Sequence, residues 1–200
     1  MSIVQEFYSI AGTVLKDQRR VPSIRVEAVE PTPAGPRVRW TGGPTGHRVV
    51  SVEDGTRWRG GVGPQVLLEA ISRTLAVRWR ERTPTVPADW SDRLAARHPR
   101  VFTSGGPYTC PGWASLWAAG AEWIEEVGVP PGFATDDAKA KFGTARWHHH
   151  ADDWSDDVAD VVEAIETISD GICEACGAPG RTRFRPWIET LCHTHNTEPR

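Results

Sequence analysis

No stretch of this chain approaches the roughly 18 consecutive apolar residues that a membrane-spanning helix needs, which excludes an integral helical membrane protein. Met1 to Lys16 lacks a basic leader, a long apolar block and a small-residue cleavage site, so no signal peptide is expected and the chain is read as cytoplasmic. Lysine is scarce: Lys16, Lys139 and Lys141 are the only three, a bias of the kind that GC-rich coding produces. The formal net charge of -3 argues against a chain coated with nucleic acid, although it is compatible with a local basic patch. No P-loop, dinucleotide glycine fingerprint, G-x-S-x-G elbow or H-E-x-x-H motif occurs, so no motif-defined enzyme class is indicated. Internal repeats and low-complexity segments are missing as well. Cysteine numbers only four, and in a reducing compartment clustered thiols favour a metal over disulfides.

What is present is a chain of 200 residues, long enough for one large or two small domains, with ten tryptophans to anchor its core. Ile3, Phe7, Ile10 and Val14 recur at helical spacing over residues 2–20, which end in Arg19-Arg20. The period then shortens to two at Ile24-Val26-Ala28, Val38-Trp40, Val49–Val52 and Trp58, with turn residues between, Asp54-Gly55 among them. This predicts a three- to four-stranded antiparallel meander. Pro64 opens a second helix with the stripe Leu67, Leu68, Ile71, Leu75, Trp79. Residues 1–82 thus read as a small α+β domain, 83–87 as a linker, 88–171 as a mostly helical second part, and 172–200 as a zinc-binding hairpin packed on the preceding helix. Within the second part, short and longer helices are expected around Trp90–Arg97 and from Pro111 to Glu126. A turn or helix followed by a strand, Thr144–His149, is expected over 137–149, and then an acidic helix capped by Ser155 and stopped by Gly171.

The strongest chemical signal is Cys173-Glu-Ala-Cys176 followed, after fifteen residues, by Cys192-His193-Thr194-His195. Two close pairs of soft ligands joined by a short loop match a structural Zn2+ site. Gly177, Pro179 and Gly180 supply the backbone freedom that a metal knuckle needs. His195 is preferred as fourth ligand, since two intervening residues suit a knuckle better than none, with His193 as the competitor. Four protein ligands make a closed site, structural and not hydrolytic.

Two other clusters invite a function. Arg181, Arg183 and Arg185, with Phe184 and Trp187, lie on the loop between the ligand pairs and suit contact with a nucleic acid or another partner; packing on the acidic helix is the simpler reading. His148 and His150 with Asp152 and Asp153 suggest a second metal or acid–base site, but period two splits the three imidazoles between faces, as in an ordinary polar strand end. Cys110 reads as a packing thiol.

Cys110-Pro-Gly-Trp113, then Ala140-Lys141-Phe142-Gly143-Thr-Ala-Arg146-Trp147, then Cys173-Glu-Ala-Cys176-Gly-Ala-Pro-Gly180 and Trp187-Ile-Glu-Thr-Leu-Cys192 are similar to a group of proteins encoded by bacteriophages and prophages. These carry a KFGxLRFY-like segment before a CExCGxPG…W…TLCxxH ending, and the similarity spans about residues 88–197. His148-His149-His150 depart from that pattern. The resemblance implies a phage or mobile-element ancestry and a metal site, and no reaction. The favoured reading is a zinc-stabilised, non-catalytic protein that binds a macromolecule, with a protein partner preferred to nucleic acid because tryptophan and a mixed-charge surface suit protein contacts. The alternatives are a nucleic-acid-binding protein acting through the arginine loop, and a metal-dependent hydrolase or nuclease at His148–Asp153.

Overall fold

The computed structural model describes residues 1–17, 21–48, 50–53, 56–80, 86–184 and 186–197. Arg19-Arg20, Val49, the Asp54-Gly55 turn, residues 83–85 of the expected linker and Arg185 lie outside the described residues. Among the described residues, five helices and four antiparallel strand pairs make an α+β fold.

Helix α1 (Ile3–Val14) opens with a capping box. Ser2 Oγ accepts from the Gln5 amide at 3.3 Å and Gln5 Oε1 accepts from the Ser2 amide at 2.8 Å, satisfying donors that a helix start leaves unpaired. Its inward stripe is Phe7, Ile10, Ala11 and then Leu15, all buried. Strands β1 (Arg25–Thr32) and β2 (Gly35–Thr41) follow, then β3 (Val50–Glu53) and β4 (Thr56–Arg59). The expected meander is instead two separate hairpins, β1–β2 and β3–β4, with no ladder between them among the described residues. The reason lies in α2 (Pro64–Arg80): its Ser72 hydroxyl accepts from the Val38 amide at 3.1 Å and donates to the Val38 carbonyl at 2.9 Å. Backbone groups that a third strand would have paired are therefore used by the helix, and β2 packs on α2 as an edge.

The core does not divide at residues 83–87. Helix α2 packs against α1 on one side and against α4 (Ala114–Val127) and α5 (Asp156–Ile168) on the other. Phe7, Leu68, Ile71, Trp113, Trp117, Ile124 and Ile165 belong to one continuous apolar cluster. At about 1.5–3 kcal/mol for each large apolar side chain taken out of water, these residues dominate the folding energy. Between α2 and α4 lies α3 (Trp90–Arg97), which buries Leu94 alone.

Strand β5 (Ala134–Lys141), which the sequence reads as a turn or helix, pairs with β6 (Thr144–His150). Ala138, Ala140, Ala145 and Trp147 share the inward face by register, and Lys139, Lys141, Thr144 and Arg146 the outward one. The β6 edge away from β5 is covered by α5: Ala145 donates to Ser169 Oγ at 2.8 Å and Trp147 to Glu166 Oε1 at 2.5 Å. Trp147 crosses α4 at Gly120, where a Cβ would stand 2.7 Å from its ring. The expected packing of the α5 stripe on Trp113, Trp117 and β6 is present, with Ile165 and Trp117 fully buried. Phe142 is the exception, because it lies in the β5–β6 turn and is 66% exposed. The chain ends with a small hairpin, β7 (Arg181–Phe184) and β8 (Ile188–Leu191). Among the described residues, no helix is long and apolar enough to cross a membrane.

Candidate metal centre

Helix α5 runs into a single 3-10 turn, Ser169–Gly171, and the chain then closes on itself around the first ligand pair. The Gly177 amide donates to the Cys173 carbonyl, and the Cys173 amide donates to the Ala178 carbonyl, both at 2.8 Å. Both thiols of the pair thus sit on one tight loop, secured by a bridge between Ile172 and Pro179. Gly177 completes the loop at φ +71°, and a side chain there would collide with the Gly112 carbonyl oxygen at 2.6 Å, so glycine is required on both counts. Strands β7 and β8 carry the chain out and back. After β8 a second turn, with the Asn196 amide donating to the Cys192 carbonyl at 2.9 Å, folds His195 towards Cys192.

One donor atom from each of Cys173, Cys176, Cys192 and His195 lies within 4.8 Å of all the others. A tetrahedral ion with metal–sulfur bonds of about 2.3 Å and metal–nitrogen bonds of about 2.0–2.1 Å needs S–S edges of about 3.8 Å and S–N edges of about 3.6 Å. Cys176 Sγ and Cys192 Sγ are 3.8 Å apart, Cys173 Sγ and His195 Nδ1 3.7 Å, and Cys192 Sγ and His195 Nδ1 3.2 Å. The donors fit a single metal ion, and the sulfur separation is far beyond the roughly 2.05 Å of a disulfide. His195 and not His193 joins the set. Cys173 and Cys192 are buried while His195 faces solvent.

Electrostatics prepare these thiols unequally. Burial pushes Cys176 up to about 12, the neighbouring Cys173 and Cys192 thiols reinforcing it. Burial acts in the same direction on Cys192, but hydrogen bonds from the His195 backbone and ring and from the other thiols outweigh it and bring Cys192 down to about 6. A metal binds the thiolate form, so its arrival at Cys176 displaces a proton.

The loop is braced from outside. The Gly112 amide donates to the Glu174 carbonyl at 2.8 Å and Trp113 Nε1 to the Ile172 carbonyl at 2.9 Å, which ties it to the start of α4. Arg78 of α2 donates to the Cys176 carbonyl at 2.6 Å. Glu174 joins the two ligand pairs: its amide donates to the Thr190 carbonyl at 2.9 Å and its Oε1 accepts from the Thr190 amide at 2.7 Å. Burial raises the Glu174 carboxyl. It also raises Cys110, which lies 3.5 Å from Glu174 Oε2, to about 11, as suits a packing thiol and not a nucleophile. Arg78 and Glu174 carry no sequence signal as supports, since neither belongs to a ligand pattern.

The second polar cluster does not converge. His148 and His150 are exposed on one face of β6 and His149 is half-buried on the other, against Phe133 at a ring separation of 5.3 Å. His150 Nδ1 lies 2.8 Å from Asp136 Oδ1, so its partner is across the ladder and is neither Asp152 nor Asp153. Asp152 folds back over Gly132. Among the described residues, the Cys3His set is the one group of three or more His, Cys, Asp or Glu side chains that converges on a point.

The arginine loop keeps the alternation of its sequence. On β7, Arg181 and Arg183 share one face, with Thr182 and Phe184 on the other; Arg185 lies outside the described residues. Arg183 Nε is buried and has no hydrogen-bond partner among the described residues. At the hairpin tip Phe184 and Trp187 are 85% and 80% exposed, so the expected packing of these rings on α5 does not occur. Comparisons with protein-family models, with curated proteins and with solved structures return no match.

Proposed function

We propose that Cys173, Cys176, Cys192 and His195 hold one structural Zn2+, that the chain ends in a zinc-knuckle hairpin, and that the protein is a non-catalytic binder of another macromolecule, of phage or mobile-element type. The observation that carries the reading is the convergence of four donors within 4.8 Å, three of their separations, 3.8, 3.7 and 3.2 Å, lying near the edges of a four-coordinate Cys3His tetrahedron. Three thiolates and one imidazole favour zinc over the hard, oxygen-seeking cations. Four protein ligands leave no position for water or substrate, so the metal's part is to hold the fold together. A protein partner suits the exposed Phe184 and Trp187 at the hairpin tip, since large aromatic side chains are typical interface anchors.

Metal analysis of the purified chain tests this reading. One zinc per chain, lost when Cys176 becomes Ser, is the expected result. Zinc-free folded protein, or a second metal retained in the Cys176→Ser variant and removed by His150→Ala, would overturn it.

A further inference from the structure

The end of α1, the outward face of β5–β6, the end of α5 and the β7–β8 hairpin enclose a groove of about 850 Å³. Lys16, Arg146 and Arg181 line it, together with Phe142 and Phe184. Two carboxylates also reach it, each turned to a neutral donor of the fold, so cations outnumber anions in the lining by three to two. Glu166 accepts the Trp147 amide and Asp170 accepts the Thr182 hydroxyl. Lys16 and Arg181 are exposed, and among the described residues neither is held by a carboxylate. Lys141 adds a further cation, its ammonium 5.6 Å from the centre of the Phe142 ring.

The backbone points to the same place. Lys141 pairs with Thr144, so Phe142 and Gly143 form a two-residue turn, with φ of 52° and 75°. That is the type I′ conformation, in which asparagine or glycine is preferred at the first position. Phe142 is the one non-glycine residue at positive φ among the described residues, and a bulky residue there is strained. The strain gains no burial, since the ring is 66% exposed. Strain of this kind, kept by a residue that contributes nothing to the core, marks a functional surface.

We infer that this groove binds single-stranded nucleic acid, the cations tracking phosphates and the Phe142 and Phe184 rings stacking on bases. This rests on the macromolecule-binding reading above, and at this groove it puts single-stranded nucleic acid in place of a protein as the partner of Phe184. A single strand fits better than a duplex because exposed rings need unpaired bases to stack on. It fits better than an acidic peptide because carboxylate side chains would use the cations and leave the two rings idle.

The test is fluorescence anisotropy of the zinc-loaded full-length chain with labelled mixed-sequence single-stranded DNA, single-stranded RNA and duplex DNA across a salt series. Binding of either single strand is expected, with log K against log salt falling at a slope of about -2 for three neutralised phosphates. The DNA and RNA arms identify the sugar. Phe184→Ala is expected to weaken binding about 5- to 150-fold, the range for loss of one stacked base. Phe142→Asn should do the same while relaxing the turn, and Lys16→Gln or Arg181→Gln should each reduce the slope by about 0.7. Zinc content and melting temperature are recorded for every variant. A chain with one zinc that binds no single strand at low salt would refute the inference and leave the zinc reading standing. Equal or tighter binding to duplex, or affinity unchanged in both phenylalanine variants, would also refute it, whereas a chain without zinc would instead undo the reading beneath it.

Discussion

Arg78 joins the two ends of the chain: it donates to the Cys176 carbonyl at 2.6 Å while its Nε lies 3.2 Å from Glu6 Oε2. Glu6 is 5% exposed at its side chain and accepts a second bond, from Trp79 Nε1 at 2.9 Å. The buried carboxylate is thus paired on one side, and the metal loop is fixed to α1 and α2 on the other. Replacing Arg78 by Met would strand a buried charge and a loop carbonyl together, a loss of about 3–5 kcal/mol. For a chain of this size that is a fall in melting temperature of roughly 6–20 °C. Glu6→Gln in the same chain should recover part of it, since the remaining group is neutral. Thermal melts of the two single variants and the double variant measure the coupling; simple additivity would mean that Arg78 and Glu6 do not act as a pair.

Metal removal should be felt first in the terminal hairpin. Strands β7 and β8 are four residues each and bury little apart from Thr190 and Leu191, so the ligand set is their main tether. In Cys176→Ser, amide exchange is expected to accelerate across residues 173–195, while α2 and α4 amides stay protected by the apolar cluster they share. Hydrogen-exchange mass spectrometry distinguishes this from loss of the whole fold.

Much of this organisation was legible because it is local. The ligand pairs, the Ser155 cap, the stripes of α2 and α5 and the start of α2 at Pro64 are written within a few residues of sequence, and the structure contains each of them. Strand β5 was not legible: Ala134-Thr-Asp-Asp-Ala-Lys-Ala-Lys141 has no β-branched or aromatic alternation, and only its register against β6 makes it a strand. The separation of the two N-terminal hairpins depends on Ser72, which lies 34 residues from Val38. The groove beside the metal loop brings together α1, β6, α5 and β7, and no local pattern announces a meeting of four elements. Alternation puts Arg181 and Arg183 on one face of β7, and the ladder agrees; that Arg181 and Phe184 nevertheless line one groove is not a local property.

A pH effect should come from His149. Burial against Phe133 holds its imidazole below the ordinary 6.5, and the hydrogen bond at Trp147 and the nearby Glu166 and Asp136 only partly offset this. The folded state therefore prefers the neutral ring. Below about 6.5 the unfolded chain takes up a proton that the folded chain resists, so this contribution is present above that pH and is lost as pH falls towards the folded value. The melting temperature should drop between pH 7 and pH 5, and the drop should be smaller in His149→Gln. Every other histidine is common to the two proteins, so the difference between the two curves isolates His149. Superimposable curves would show that its burial has no energetic consequence.

Phe142→Asn should make the protein more stable. The change replaces a bulky side chain at φ 52° with the residue that a type I′ turn prefers before glycine. Because the ring is 66% exposed, little apolar burial is forfeited. Relief of the strained backbone is worth about 1 kcal/mol, or roughly 2–4 °C in melting temperature for 200 residues. The Thr144 hydroxyl, which donates to the Lys141 carbonyl at 2.9 Å, and the Thr190 hydroxyl, which donates to the Gly143 carbonyl at 2.7 Å, hold the turn in place in either variant. A gain in stability coupled to a loss of oligonucleotide binding would be a stability–function trade-off at a single residue. A loss of stability instead would mean that the ring is anchored over Lys141 and the groove, and that the turn is not strained.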